Sequence, residues 1–122
     1  MNVLLGIAGS DESEKALRRT VDRARAVGDD LVVAVVEKPE AERSQDEMYR
    51  RAVEVLEEAG LDADVRKLDG DPGSALVELA EREGADQLVI GGGRLSPMGK
   101  IRLGPIAEFV LLNATTTVKL VR

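Results

Sequence analysis

The sequence predicts an α/β fold, a five-stranded parallel sheet in the order 3-2-1-4-5 with helices on both faces. Two observations predict it. Short apolar runs alternate with stretches of helical periodicity along all 122 residues, joined by short links. Most of those runs are continuously apolar, as strands must be when crossover helices cover both faces of a parallel sheet.

The first run, "NVLLGIA" (2–8), ends at Gly9-Ser10 and fits a buried strand. Ser10 suits a helix N-cap, with Asp11 and Glu12 against the positive end of the helix dipole. Leu17, Val21, Ala24 and Val27 recur at helical spacing until Gly28 stops the helix. "LVVAVVE" (31–37) is the second strand, followed by a polar connection through Lys38-Pro39. A second helix over 44–59 lines up Met48, Ala52, Val55 and Ala59, and Gly60 ends it.

"DADVRKL" (62–68) alternates apolar with polar, as a half-exposed edge strand should. "GDPGS" (70–74) is turn chemistry, which gives Asp69 and Asp71 a role in opening a third helix that carries Leu76, Leu79 and Ala80. "QLVIGG" (87–92) is the fourth strand. Gly104-Pro105 starts the last helix with proline at its first position, and the β-branched "TTTVKLV" (115–121) closes the chain. For five such strands the default is the flavodoxin-like order, and the edge character of the third agrees with it. The reading is a single domain over 1–122.

Composition excludes several functions. There is no histidine and no cysteine. A Ser-His-Asp triad, a thiolate zinc site and a disulfide are therefore impossible, and no water-activating base can be named. One phenylalanine, one tyrosine and no tryptophan leave little with which to stack bases, and a net charge of −6 argues against a nucleic-acid partner. No stretch is apolar enough for a membrane span, and Met1 leads directly into a strand, so the expected location is cytoplasmic.

In open α/β sheets ligands sit beyond the carboxyl ends of the strands where the order reverses, here between the first and fourth strands. The stretch "IGGGRLSPMGKIRLGPIAE" (90–108) follows the fourth strand and so lies at that point. Its glycines allow close backbone approach, and Arg94, Lys100 and Arg102 form a basic cluster in an acidic protein. The plain alternative is a loop whose glycines only turn the chain.

The spacing Gly91, two residues, Arg94, nine residues, Gly104-Pro105 is similar to the nucleotide-binding motif of the universal stress proteins, Gly, two residues, Gly, nine residues, Gly-Ser or Gly-Thr. "GSDESEKAL" (9–17), "GDPGSALVELAEREGADQLVIG" (70–91) and "IAEFVLLNATTTVKLV" (106–121) also resemble that family, so the likeness covers essentially the whole chain. The resemblance implies ATP or another adenine nucleotide, with magnesium, as ligand. It also implies that an acid at the end of the first strand and backbone near the end of the second help hold the nucleoside.

Three positions depart from that pattern. Ala8 stands at the acid's place, Arg94 at the second glycine with Gly93 just before it, and Pro105 at the hydroxyl position. Each lost hydrogen bond to a charged group costs about 1.5–3 kcal/mol, and two together would weaken binding by roughly two to four powers of ten. Arg94 offsets part of this. The candidate ligand-binding residues are Ile7, Ala8, Ser10, Val35, Gly91, Gly93, Arg94, Gly104, Pro105 and Ile106.

Two functions stay open. One is a stress-response module that binds a nucleotide or other phosphate ligand at an altered site, without an enzymatic centre, although slow ATP hydrolysis remains conceivable. The other is a nucleotide-independent homodimeric regulator or scaffold. The resemblance implies dimerisation through the last strand in both.

Overall fold

The computed structural model of the chain describes residues 1–92, 94–95 and 98–122, with backbone alone for Arg94, Leu95 and Ile101. Among the described residues eleven elements follow one another: β1 (Asn2–Ile7), α1 (Asp11–Val27), β2 (Asp30–Val35), α2 (Gln45–Ala59), β3 (Asp64–Lys67), α3 (Pro72–Arg82), β4 (Gln87–Gly91), β5 (Arg94–Leu95), β6 (Ile101–Arg102), α4 (Pro105–Asn113) and β7 (Thr117–Val121). The main sheet runs β3-β2-β1-β4-β7, all parallel, which is the order expected from the sequence.

Two-residue periodicity is hidden inside each continuous apolar run and decides what each side chain covers. Val3, Leu5 and Ile7 of β1 pack with Leu31, Val33 and Val35 of β2 against α1 and α2. On the other face Leu4, Ala34 and Val36 pack against α3 and α4. Each buried Val, Leu or Ile stabilises the fold by about 1.5–3 kcal/mol relative to an exposed one. The helices contribute single faces: Ala16, Leu17, Val21 and Ala24 from α1, and Leu76, Leu79 and Ala80 from α3.

Local chemistry fixes the helix ends. Ser10, Ser44 and Asp71 are N-caps whose side chains accept from the backbone amides of Ser13, Glu47 and Ser74. α1 and α2 close at Gly28 and Gly60, both left-handed.

β3 is shorter than the sequence suggested, because Asp62 and Ala63 stand outside the ladder, although Leu68 N–H still donates to the Val35 carbonyl at 2.9 Å. Its outer edge is charged, with Arg66 paired to Asp64 and Glu83, and Lys67 paired to Asp46 and lying over the Tyr49 ring. The connection after β4 also differs from expectation. It carries a small antiparallel ribbon, Arg94 opposite Arg102 and Leu95 opposite Ile101. Strands of two residues leave no periodicity for a sequence reading to detect.

Candidate functional site

The turn from β1 into α1 is built by two serines. The Ala8 amide donates to the Ser13 hydroxyl at 3.0 Å, and the Ser13 amide donates to the Ser10 hydroxyl at 3.1 Å. Ser13 is 4% exposed, so its hydroxyl satisfies a donor that water cannot reach. The segment before α2 lies directly on this turn. Arg43 donates to the Gly9 carbonyl through its backbone amide at 3.3 Å and its guanidinium at 3.4 Å. A Cβ on Gly9 would sit 1.9 Å from the Arg43 carbonyl oxygen, so only glycine permits this approach.

Charge pins the same contact. Arg43 reaches Asp11 at 2.8 Å, and Arg51 reaches Glu14 at 2.7 Å. The hydrogen bond from Arg51, helped by the charges of Arg51, Arg43 and Arg18, holds the Glu14 carboxyl below its ordinary range against the opposing effect of burial.

At the end of β4, Gly91 faces the first turn of α1. A Cβ there would meet Glu12 O at 2.4 Å, Glu12 C at 2.5 Å and Ser13 N at 2.7 Å. All three are backbone atoms that no rotamer change can move aside. Gly91 therefore has a packing reason of its own, the close seating of α1 on the strand end.

Gly104 has no such reason. Its φ of −77° suits any residue, and a Cβ would find nothing within 4 Å. It caps α4 without a side-chain hydrogen bond, unlike Ser10, Ser44 and Asp71 at the other helices. The first four amides of a helix lack intrahelical acceptors, and Pro105 carries no N–H. Ile106 and Ala107 thus supply the donors of the first turn, and the dipole there favours an anion.

The β1 turn, the β4 end and the α4 start surround one cavity of about 410 Å³ beyond the carboxyl ends of β1 and β4. It brings together Ile7, Ala8, Ser10, Gly91, Gly104 and Ile106 from the sequence candidates. Val35 does not line it. Val35 is fully buried, and its carbonyl accepts from Gln45 Nε2 at 2.9 Å as well as from Leu68, while Val36 lines the cavity instead. Pro105 lines a neighbouring cavity of about 450 Å³. Gly93 and the Arg94 side chain lie outside the described residues.

Sequence reasoning missed Lys38, Glu12, Ser13 and Arg102 as lining residues. Lys38 follows the carboxyl end of β2, and Glu12 and Ser13 belong to the helix turn seated on Gly91, so the strand-end rule applied to every strand would have found them. With Lys38, Arg102 and Glu12 in its lining, the cavity offers two cations, one carboxylate and backbone donors, a set that suits a phosphate attached to a polar body.

A family model described as the universal stress protein family matches residues 1–122. A universal stress protein of Methanocaldococcus jannaschii is 33% identical over 76 residues, covering 62% of this chain and 45% of that protein. This chain therefore aligns with less than half of that relative's length. Among solved structures, a universal stress protein from Archaeoglobus fulgidus shares 26% identity with a TM-score of 0.81, covering all of this chain and 98% of the other. A universal stress protein in complex with cAMP shares 29% identity with a TM-score of 0.75, covering 100% and 97% of the two chains. With the switch-point cavity and the strand order in agreement, the chain belongs to the universal stress protein family.

Proposed function

We propose that this protein is a stress-response module that binds an adenine nucleotide, its phosphate held at the start of α4. The observation that carries this reading is the bare N-terminus of α4 at the cavity. Gly104 is a cap that supplies no side-chain acceptor, in a chain whose other helices are all capped by one. An oxygen from a phosphate completes such a helix end. The cavity's size falls in the range of small-ligand sites, ~300–1,000 Å³. A structural relative at 29% identity is in complex with cAMP.

In this reading Gly104, Ile106 and Ala107 hold the phosphate, Lys38 and Arg102 neutralise it, and Arg94 adds a further cation from the β5–β6 ribbon. Ile7, Ala8 and Val36 face the nucleoside. Ala8 supplies no carboxylate for the ribose, which disfavours tight binding. Where ADP or ATP is the ligand, magnesium comes with its phosphates. The absence of any histidine or cysteine supports a regulator over an enzyme. We place it in the cytoplasm as a homodimer joined through β7, the end strand of the sheet.

Thermal unfolding with AMP, cAMP, ADP and ATP, each with and without magnesium, tests the reading. A ligand at a hundredfold its Kd adds about 2.7 kcal/mol to the native state. Saturating upward shifts are expected, and no shift at millimolar concentrations of all four would overturn it. Arg94→Ala is expected to weaken binding and leave the unliganded melting temperature unchanged.

A further inference from the structure

The replacement of a hydroxyl residue by Pro105 reads as a loss when only the phosphate is considered. The second cavity gives it another meaning. Pro105 lines that cavity together with Pro39, Pro72, Ile106 and Phe109, and Lys38 belongs to the same lining. Ile106 and Lys38 also line the first cavity, so the two spaces adjoin along a shared boundary.

The apolar wall is built, not incidental. The Phe109 side chain lies close enough to Gly73 that a Cβ there would meet ring carbon Cδ1 at 2.7 Å and Cγ at 2.9 Å. Asp71, also in the lining, is committed as the α3 cap, its amide partner Ser74 holding its carboxyl below the ordinary range. Glu37 and Glu40 also line it and add negative charge, which repels a second phosphate from this space. An uncharged apolar group fits it.

From the two adjoining cavities we infer that the protein binds a nucleotide whose phosphate carries an apolar substituent, the class of acyl-adenylates, with the nucleotide in the first cavity and the apolar chain against Pro105 and Phe109 in the second. This rests on the nucleotide reading above and extends it. The first cavity's cations and helix amides hold the phosphate, and Lys38 at the boundary stands beside the phosphate-to-acyl junction. The prolines contribute rigid apolar surface that loses little entropy on binding.

The probes are AMP and two stable acyl-adenylate mimics, acetyl- and octanoyl-sulfamoyl adenosine, measured by calorimetry on the full chain. Octanoyl-sulfamoyl adenosine is expected to bind at least tenfold more tightly than the acetyl compound, about 1.4 kcal/mol. Pro105→Ser is expected to tighten AMP, by restoring a hydroxyl donor, while shrinking the octanoyl advantage. Phe109→Ala, at a side chain already 36% exposed, should shrink that advantage and leave AMP unchanged. If AMP binds and the octanoyl chain adds less than threefold, the inference is wrong and the nucleotide reading stands. An octanoyl advantage that survives both variants also overturns it. If neither AMP nor the acyl compounds bind, both fail.

Discussion

Gly91 and Gly104 belong to the same spaced motif, yet they answer to different constraints, and a pair of substitutions separates them. Gly91→Ala adds a Cβ within 2.4–2.7 Å of the backbone of Glu12 and Ser13. The only relief is to move α1 off the end of β4, and overpacking of this kind costs about 1–3 kcal/mol. At roughly 2.1 cal/mol/K per residue, 122 residues give an unfolding entropy of about 0.26 kcal/mol/K. The melting temperature should therefore fall by about 4–12 °C. Gly104→Ser meets nothing within 4 Å and installs a favoured cap, worth a few tenths of a kcal/mol, so the melting temperature should hold or rise by about 1 °C. Its hydroxyl would take the Ala107 amide, removing one hydrogen bond from the phosphate. At about 1.5–3 kcal/mol that weakens AMP by roughly ten- to more than a hundredfold. Calorimetric unfolding and AMP titration of both variants suffice. A Gly91→Ala protein as stable as the parent would refute the packing argument, and a Gly104→Ser protein with undiminished AMP affinity would refute the amide cradle.

Other consequences can be checked on the unliganded protein. Ser13→Ala leaves the buried Ala8 amide without its acceptor, which should cost about 1–3 kcal/mol in urea unfolding. Unchanged stability would mean another acceptor replaces the hydroxyl. Glu14 is held below its ordinary range chiefly by the Arg51 hydrogen bond, so its contribution to stability is fully present above the unfolded glutamate value of about 4.3 and is lost as pH falls through and below it. Glu14→Gln should therefore be less stable than the parent at pH 7, and the gap should close as pH falls below the ordinary glutamate range. A gap independent of pH would show that Glu14 acts through packing alone.

Much of the architecture was legible because each element carries its own signal. Gly28 and Gly60, the cap at Ser10, the turn at Asp71 and the apolar runs of β1, β2 and β4 all agree with the fold that forms, whereas Ser44, read as the first residue of the second helix, is its cap. The ribbon of β5 and β6 was not legible, because two-residue strands carry no pattern. The lining of the candidate cavity was legible where position in the topology decides it, as at Ala8, Gly91 and Gly104. It was illegible where one residue decides which of two adjoining spaces a side chain enters. Val35 and Val36 look alike in sequence, and strand pleat alone sends Val35 into the α1–α2 core. Pro105 sits one residue from Gly104, but its ring belongs to a different cavity. Ser13 was hidden for another reason: a serine in a helix's first turn gives no hint that it serves the strand before.

The two borders of the main sheet are unequal. β3 is short, and its Arg66 and Lys67 are occupied by Asp64, Glu83 and Asp46. β7 carries one charge, Lys119, between the half-buried Val118 and Leu120. In the dimer proposed above, each copy's β7 border is used up by the other, so assembly through that border ends at a closed pair with two-fold symmetry rather than a fibre.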